Sequence, residues 1–332
     1  MKPRYLFGLA LALLGVAATA TADTLKIATV APDGTAWMRE MRAGADAVKQ
    51  RTEGRVEIKF YPGGVMGDPA TVLRKIRIGQ LHGGAFTGGE IMSVVPDAQL
   101  YSLPFLFRNQ AEVDAVRARL DARVKASFEP QGFVALGLSG GGFAYLMSTR
   151  DIRNSADLKT AKVWVPQGDT VAEVAFKAAG VTPTPLPLAD VYTSLQTGLI
   201  DTAANTPAGA IAFQWHTKIK HIVDLPVTYV VGLLAVDKKA VDKLAAADQQ
   251  VLREEMDKVF ARLEQINRDD NAKAMDTLKG QGIAIHAPAG DEQKAWQDVG
   301  AQAMQRIVAD KLVSPELLKA VQDELAALRA KK

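Results

Sequence analysis

Ser139 stands in Gly137-Leu138-Ser139-Gly140-Gly141, the G-x-S-x-G spacing in which a serine can act as a nucleophile. His82-Gly83-Gly84-Ala85 has the outline of an oxyanion loop, and His221 or His286 could follow as the base. That chemistry needs a helix directly after the serine, so that a sharp turn presents Oγ. Gly140-Gly141-Gly142 instead leads into Phe143-Ala144-Tyr145-Leu146-Met147, which reads as another strand. A periplasmic serine hydrolase using Ser139 therefore stays as the alternative reading. Other reactive groups are scarce. The chain has four histidines and no cysteine, which excludes thiolate nucleophiles and thiolate metal sites. His216 and His221 are spaced off a common helical face, and His82 and His286 have no acidic or histidine cluster beside them. No G-x-G-x-x-G opens a helix and no Walker lysine follows the glycines, so neither a cofactor nor a metal is expected.

The totals point the same way. Lys2 and Arg4 precede the apolar stretch Tyr5 to Val16, and Ala20-Thr21-Ala22 supplies an A-x-A site before Asp23. Residues 1–22 are read as a cleaved signal peptide, because the apolar run is shorter than the roughly 20 residues that cross a bilayer. The rest is expected in the periplasm, with enough chain for two α/β domains at roughly 100–200 residues each. A formal net charge of +3, partly carried by Lys2 and Arg4, gives no basic stripe, and no nucleic-acid partner is expected.

The elements that would position any site alternate. Leu25 to Val30 and Arg55 to Tyr61 read as strands around a helical pattern from Trp37 to Gln50. Asp68-Pro69 opens a helix to Gln80 as N-cap and N1. Further strands are expected at Gly84–Thr87, Phe133–Leu138, Ala144–Ser148 and Lys162–Val165. Helices are expected near Gln110–Phe128, Thr170–Ala179 and Leu188–Thr197. Strands separated by helices argue for largely parallel, doubly wound sheets. Ala240 to Lys279 contains neither Pro nor Gly and reads as one long helix that bridges two lobes, followed by a short strand and two final helices.

One set of segments resembles a known family. Asp157-Leu158-Lys159-Thr160-Ala161-Lys162-Val163-Trp164-Val165-Pro166 is followed by Pro183-Thr184-Pro185-Leu186-Pro187 and then by Ala189-Asp190-Val191-Tyr192-Thr193-Ser194-Leu195-Gln196-Thr197-Gly198-Leu199-Ile200-Asp201, with Asn205 beyond. These segments, with Phe60 to Asp68 and Ser102-Leu103-Pro104-Phe105-Leu106-Phe107 before them, resemble the periplasmic solute receptors of TRAP-type (dicarboxylate-type) transporters. The resemblance implies an α/β, two-lobed periplasmic binding protein fold with a long interlobe helix. It also implies a small-molecule solute held between the lobes, TRAP membrane permease subunits as partners, a monomer, and no catalysis. Lobe I is expected over 23–140 plus about 231–270, and lobe II over 141–230 plus about 271–332.

The chain departs from that family where solute would be held. The family's K-x-R-V-P arginine, which clasps a carboxylate, is here Trp164. A second family arginine falls near Ala144, between Phe143 and Tyr145, and Arg150 and Arg153 are the nearby cations that could replace it. The expected solute is an organic acid or a more hydrophobic or aromatic compound; an indole for a guanidinium favours one more hydrophobic than a C4-dicarboxylate, neutral or aromatic, or a cation over the Trp face. The candidate ligand-binding residues are Trp164, Asn205, Phe143, Tyr145, Trp37, Thr35, Thr87, Glu90, Phe213 and Tyr229. Asn205 is the polar anchor, and Thr35, Trp37, Thr87 and Glu90 follow strands, where open α/β sheets place ligands.

Overall fold

A computed structural model describes residues 22–330; the expected signal peptide lies almost wholly outside the described residues. Strand β1 (Asp23–Thr29) pairs in parallel with β2 (Val56–Tyr61) and with β3 (Gly83–Thr87). Between them lie α1 (Ala36–Arg51) and α2 (Pro69–Arg77). Asp68 accepts from Thr71 N at 2.6 Å and Pro69 fills N1, so α2 begins where the sequence placed it. A single turn, α3 (Gly88–Ile91), follows β3. A 3-10 segment (Pro96–Ser102) and α4 (Gln110–Ala126) come next.

The next strand, β4 (Phe133–Ser148), runs without interruption through both halves of the molecule. Beyond it come β5 (Trp164–Pro166), α5 (Thr170–Ala178), β6 (Thr184–Leu186), α6 (Val191–Thr197), β7 (Thr202–Asn205) and α7 (Pro207–Ala212). Then β8 (His221–Asp237) returns antiparallel to β4 along nearly its whole length. The sheet order is β2-β1-β3-β8-β4-β7. One end of β8 pairs with β3 and the other with β9 (Ala284–His286), while β4 pairs with β7 at the second end. The two lobes therefore share two continuous strands. Expected separate strands on either side of the triple glycine are one strand, and the sheet is mixed rather than largely parallel, because its two longest members are antiparallel.

Continuity across the lobes requires local irregularity. The β4–β8 register shifts between Ala135 and Gly137, between Gly140 and Gly142, and between Ala144 and Leu146, and such bulges bend a strand. Gly142 sits at φ +111, a conformation that side chains disfavour, and Gly137 lies against the Phe260 ring, where a Cβ would collide.

The helical region after β8 divides into α8 (Lys238–Asp242) and α9 (Ala246–Gly280). The expected single helix breaks at Ala245, whose extended backbone serves as N-cap without a side-chain bond. Leu252, Met256, Val259, Phe260 and Leu263 of α9 join α1 and β4 in one core, while Leu278 at the far end joins the core under Trp215. In between, Glu264, Asn267 and Asn271 share one polar face by their spacing. Glu264 Oε2 accepts from Gly140 N at 2.7 Å, Asn267 donates to Gly140 O at 2.9 Å, and Asn271 donates to Gly141 O at 2.6 Å. The helix that spans the lobes thus holds the glycines at which β4 bends.

Helices α10 (Asp291–Ala309) and α11 (Pro315–Arg329) end the chain. Trp296 of α10 packs with Leu146, Ile152 and Leu158 of lobe II. The expected assignment of residues to 332 in lobe II is corrected for α11. Leu317, Leu318, Val321 and Leu325 pack in the lobe I core with Val113, Val116 and Leu120 of α4, and Arg329 bonds Glu112 at 2.8 Å. An amphipathic helix docks where an apolar stripe awaits it, and α4 carries that stripe.

Substituting Gly137→Ala is expected to lower unfolding stability by about 1–3 kcal/mol through overpacking against Phe260. A urea midpoint that does not fall would show that this contact tolerates a methyl group.

Candidate functional site

The site lies between the lobes, in a cavity of about 180 Å³. Lobe I contributes Thr87 to Glu90 from the β3–α3 junction, with Gln99, Ser102, Pro104 and Phe105. Lobe II contributes Trp164 to Pro166, Asp169, one face of α5, and Asn205. Trp296, Val299, Gly300 and Ala303 of α10 form a further wall, and Ala144, Leu146, Thr228 and Val230 from the two shared strands line it as well.

Strand alternation decides which expected residues reach this cavity. Side chains along a strand point to opposite faces in turn, so Ala144 and Leu146 line it while Phe143 and Tyr145 do not. Phe143 meets Tyr229 edge to face at 5.1 Å, and Tyr145 packs toward the core around Trp215. Tyr229, 2% exposed, lies between the lining residues Thr228 and Val230 and faces the other way, toward Phe107, Phe143 and the hinge at Gly140. Phe213 packs on Trp215 at 6.4 Å. Thr35 caps α1 by accepting from Met38 N at 3.3 Å, and Trp37 packs on the core beneath that helix. These six are corrected from cavity lining to packing and capping. Trp164, Asn205, Thr87 and Glu90 do line the cavity.

Trp164 both packs and lines. It is 5% exposed, donates Nε1 to Leu186 O at 2.9 Å, and meets Trp215 edge to face at 5.5 Å. Asn205 Oδ1 accepts from Thr206 N at 2.8 Å, which leaves its amide N–H groups as donors.

The charge of the wall is one-sided. Among the described residues no Lys, Arg or His lines the cavity, whereas Glu90 and Asp169 both do. Arg150 turns to Thr160 O at 2.7 Å and Arg153 to Asp151 at 2.8 Å, so neither replaces the missing arginine. Glu90 Oε2 accepts from Thr87 N at 2.7 Å and from Thr87 Oγ1 at 3.1 Å; burial nonetheless pushes its carboxyl above the ordinary range. Asp169 is pushed up to about 6, chiefly by burial. Its carboxylate accepts from Gln99 Nε2 and from Ala172 N, the latter as N-cap of α5. Asp169 was detectable in the sequence as a cap after a strand; nothing in the pattern of α10 marked Trp296.

The hydrolase arrangement is absent among the described residues. Ser139 lies inside β4 opposite Gly232, 1% exposed, with no hydrogen-bond partner for Oγ. His82 accepts from Lys26 N at 3.0 Å, His221 lies 3.6 Å from Asp151, and His286 lies 3.1 Å from Glu292. No base approaches the serine, and the strand continues where the elbow's helix would start.

Residues 27–311 match the family model described as bacterial extracellular solute-binding protein, family 7. The chain belongs to that family. Its members are periplasmic receptors that bind small-molecule solutes and work with TRAP membrane permease components, and they are not enzymes. The family 7 chain is 27% identical over 288 residues to the 2,3-diketo-L-gulonate-binding periplasmic protein of Escherichia coli, covering 84% of this chain and 85% of that one. It is 28% identical over 244 residues to a solute-binding protein of Verminephrobacter eiseniae, covering 73% and 72%. A TRAP periplasmic solute-binding protein from Xanthobacter autotrophicus, crystallised with β-D-galacturonate, shares the fold at TM-score 0.83 and 22% identity, covering 91% of this receptor and 99% of the other. No helix among the described residues is long and apolar enough to cross a membrane.

Truncating Trp164→Ala is expected to cost about 3–5 kcal/mol of stability, and Trp164→Phe, which loses only the Leu186 bond and some packing, about 1–2 kcal/mol. Equal denaturation midpoints for the two variants would contradict the packing role of the indole.

Proposed function

We propose that this receptor captures an uncharged, largely apolar or aromatic organic solute and passes it to a TRAP permease. The observation that carries the reading is the cavity wall itself: apolar and aromatic side chains, two carboxyl groups, and no cation. A solute carboxylate placed there would lose its hydration without gaining a charged partner, at a cost on the order of several kcal/mol. Glu90 and Asp169 in the wall supply it no positive partner. Relatives named for gulonate or galacturonate handle acids, and this wall is unsuited to such a group. Trp164 and Phe176 offer aromatic surface, and the Asn205 amide offers a donor for one polar atom of the solute.

The proposed receptor works as a monomer whose lobes turn about the glycine crossing of β4 and the facing stretch of β8. Lobe I would run over 23–140 and about 231–270 with α11 added, and lobe II over the remainder. Solute touching both lobes favours the closed arrangement by the free energy of the contacts that only closure makes.

Native mass spectrometry of the protein isolated from periplasm should show an adduct that partitions into organic solvent. Calorimetry with succinate and with D-glucuronate should show no binding heat. Submicromolar affinity for either acid would overturn the uncharged-solute reading.

A further inference from the structure

We propose that closure of the two lobes favours the protonated form of Asp169, held against the Gln99 carboxamide. The inference rests on the reading of this chain as a receptor that closes over its solute. Asp169 belongs to lobe II, at the start of α5, and Gln99 to the 3-10 segment of lobe I. Gln99 Nε2 donates to Asp169 Oδ1 at 2.8 Å and to Oδ2 at 2.9 Å. The same carboxyl lies against the backbone of Gly89 in lobe I, where a Cβ would collide with Oδ2. Val171, two residues on, is buried in the lobe I core. Asp169 is 6% exposed and Gln99 2% exposed where the two lobes meet.

The closed arrangement leaves two difficulties that a single proton removes. First, an ionised Asp169 is a buried negative charge with no cation near it. The groups that face it are Glu90 from α3, Glu173 on its own helix, and the neutral Gln99, and among the described residues no Lys, Arg or His lines the cavity, from α10 or any other wall. Second, Gln99 Oε1 is buried with no hydrogen-bond partner. A protonated Asp169 has an O–H to donate, and a turn of the Gln99 amide closes an acid–amide ring that satisfies both groups. Both carboxyls accept bonds that favour their ionised forms, but Glu90 is bonded within its own lobe by Thr87, whereas Asp169 faces the unpartnered Gln99 Oε1 group of the other lobe.

The direction of the pH effect follows from the burial. In this arrangement Asp169 is pushed up from an ordinary 3.8 to about 6, with desolvation as the main cause and the Ala172 N–H bond opposing it. The closed state therefore binds the proton more tightly than the open one. Closure is favoured below the open-state value and loses that advantage as pH rises through about 6.

The mature chain has no cysteine, so Ile78→Cys and Leu199→Cys, both at exposed positions on opposite lobes, accept a unique pair of spin labels. Pulsed dipolar spectroscopy of the solute-free protein then reads the closed-to-open ratio. That ratio should rise about tenfold between pH 8 and pH 5. In Asp169→Asn, whose amide donates to Gln99 Oε1 and still accepts from Ala172 N, the ratio should be high and the same at both pH values. An unchanged wild-type ratio, or an Asp169→Asn protein that keeps the wild-type pH response, would overturn the proposal. No solute enters this measurement, so its failure leaves the uncharged-solute reading standing, and succinate binding would defeat that reading without touching this one.

Discussion

Two strands, β4 and β8, pass through both lobes while staying hydrogen-bonded to each other, and the rest of the structure is arranged around that constraint. A continuous ladder resists bending, yet a receptor that encloses its solute needs its halves to move. The conflict is met at Gly137 to Gly142, where register shifts and a positive φ let the ladder bend. Helix α9 completes the arrangement by supplying Glu264, Asn267 and Asn271 to the peptide groups of Gly140 and Gly141. Glu264 is itself fixed by Arg117 at 2.6 Å and Arg268 at 3.1 Å, so the clamp is anchored in lobe I through α4 as well as α9.

The same crossing explains why a serine in G-x-S-x-G spacing has no chemistry. A nucleophile elbow requires the chain to turn sharply and expose Oγ, whereas the ladder requires it to continue and bury alternate side chains. The ladder prevails, and Ser139 is buried without a partner. The glycines around it serve close approach, of Phe260 to Gly137 and of Tyr229 to Gly140.

Electrostatics sets the character of the cavity. Trp164 occupies the position where the family resemblance places an arginine, and Ala144 the region of the second one; no other cation among the described residues lines the cavity. The indole compensates mechanically, through Leu186 and Trp215, rather than electrically. With Glu90 and Asp169 in the wall, the balance of charge is reversed relative to what an acid would require.

The α/β class, the long helix and the cap at Asp68 were legible in the chain, because each depends on local periodicity or a single capping residue, while the resemblance of fixed-spacing segments pointed to two lobes. Which aromatic residues face the cavity was not. Phe143, Tyr145 and Tyr229 lie one position away from lining residues, and only the pairing of β4 with β8 decides which parity points inward. Nor could spacing bring Gln99 to Asp169, or dock α11 on α4, since these contacts join segments far apart in sequence. Local sequence determines elements and their ends; the burial of a side chain, and with it the ease of ionising a carboxyl such as Asp169, exists only once distant segments pack around it.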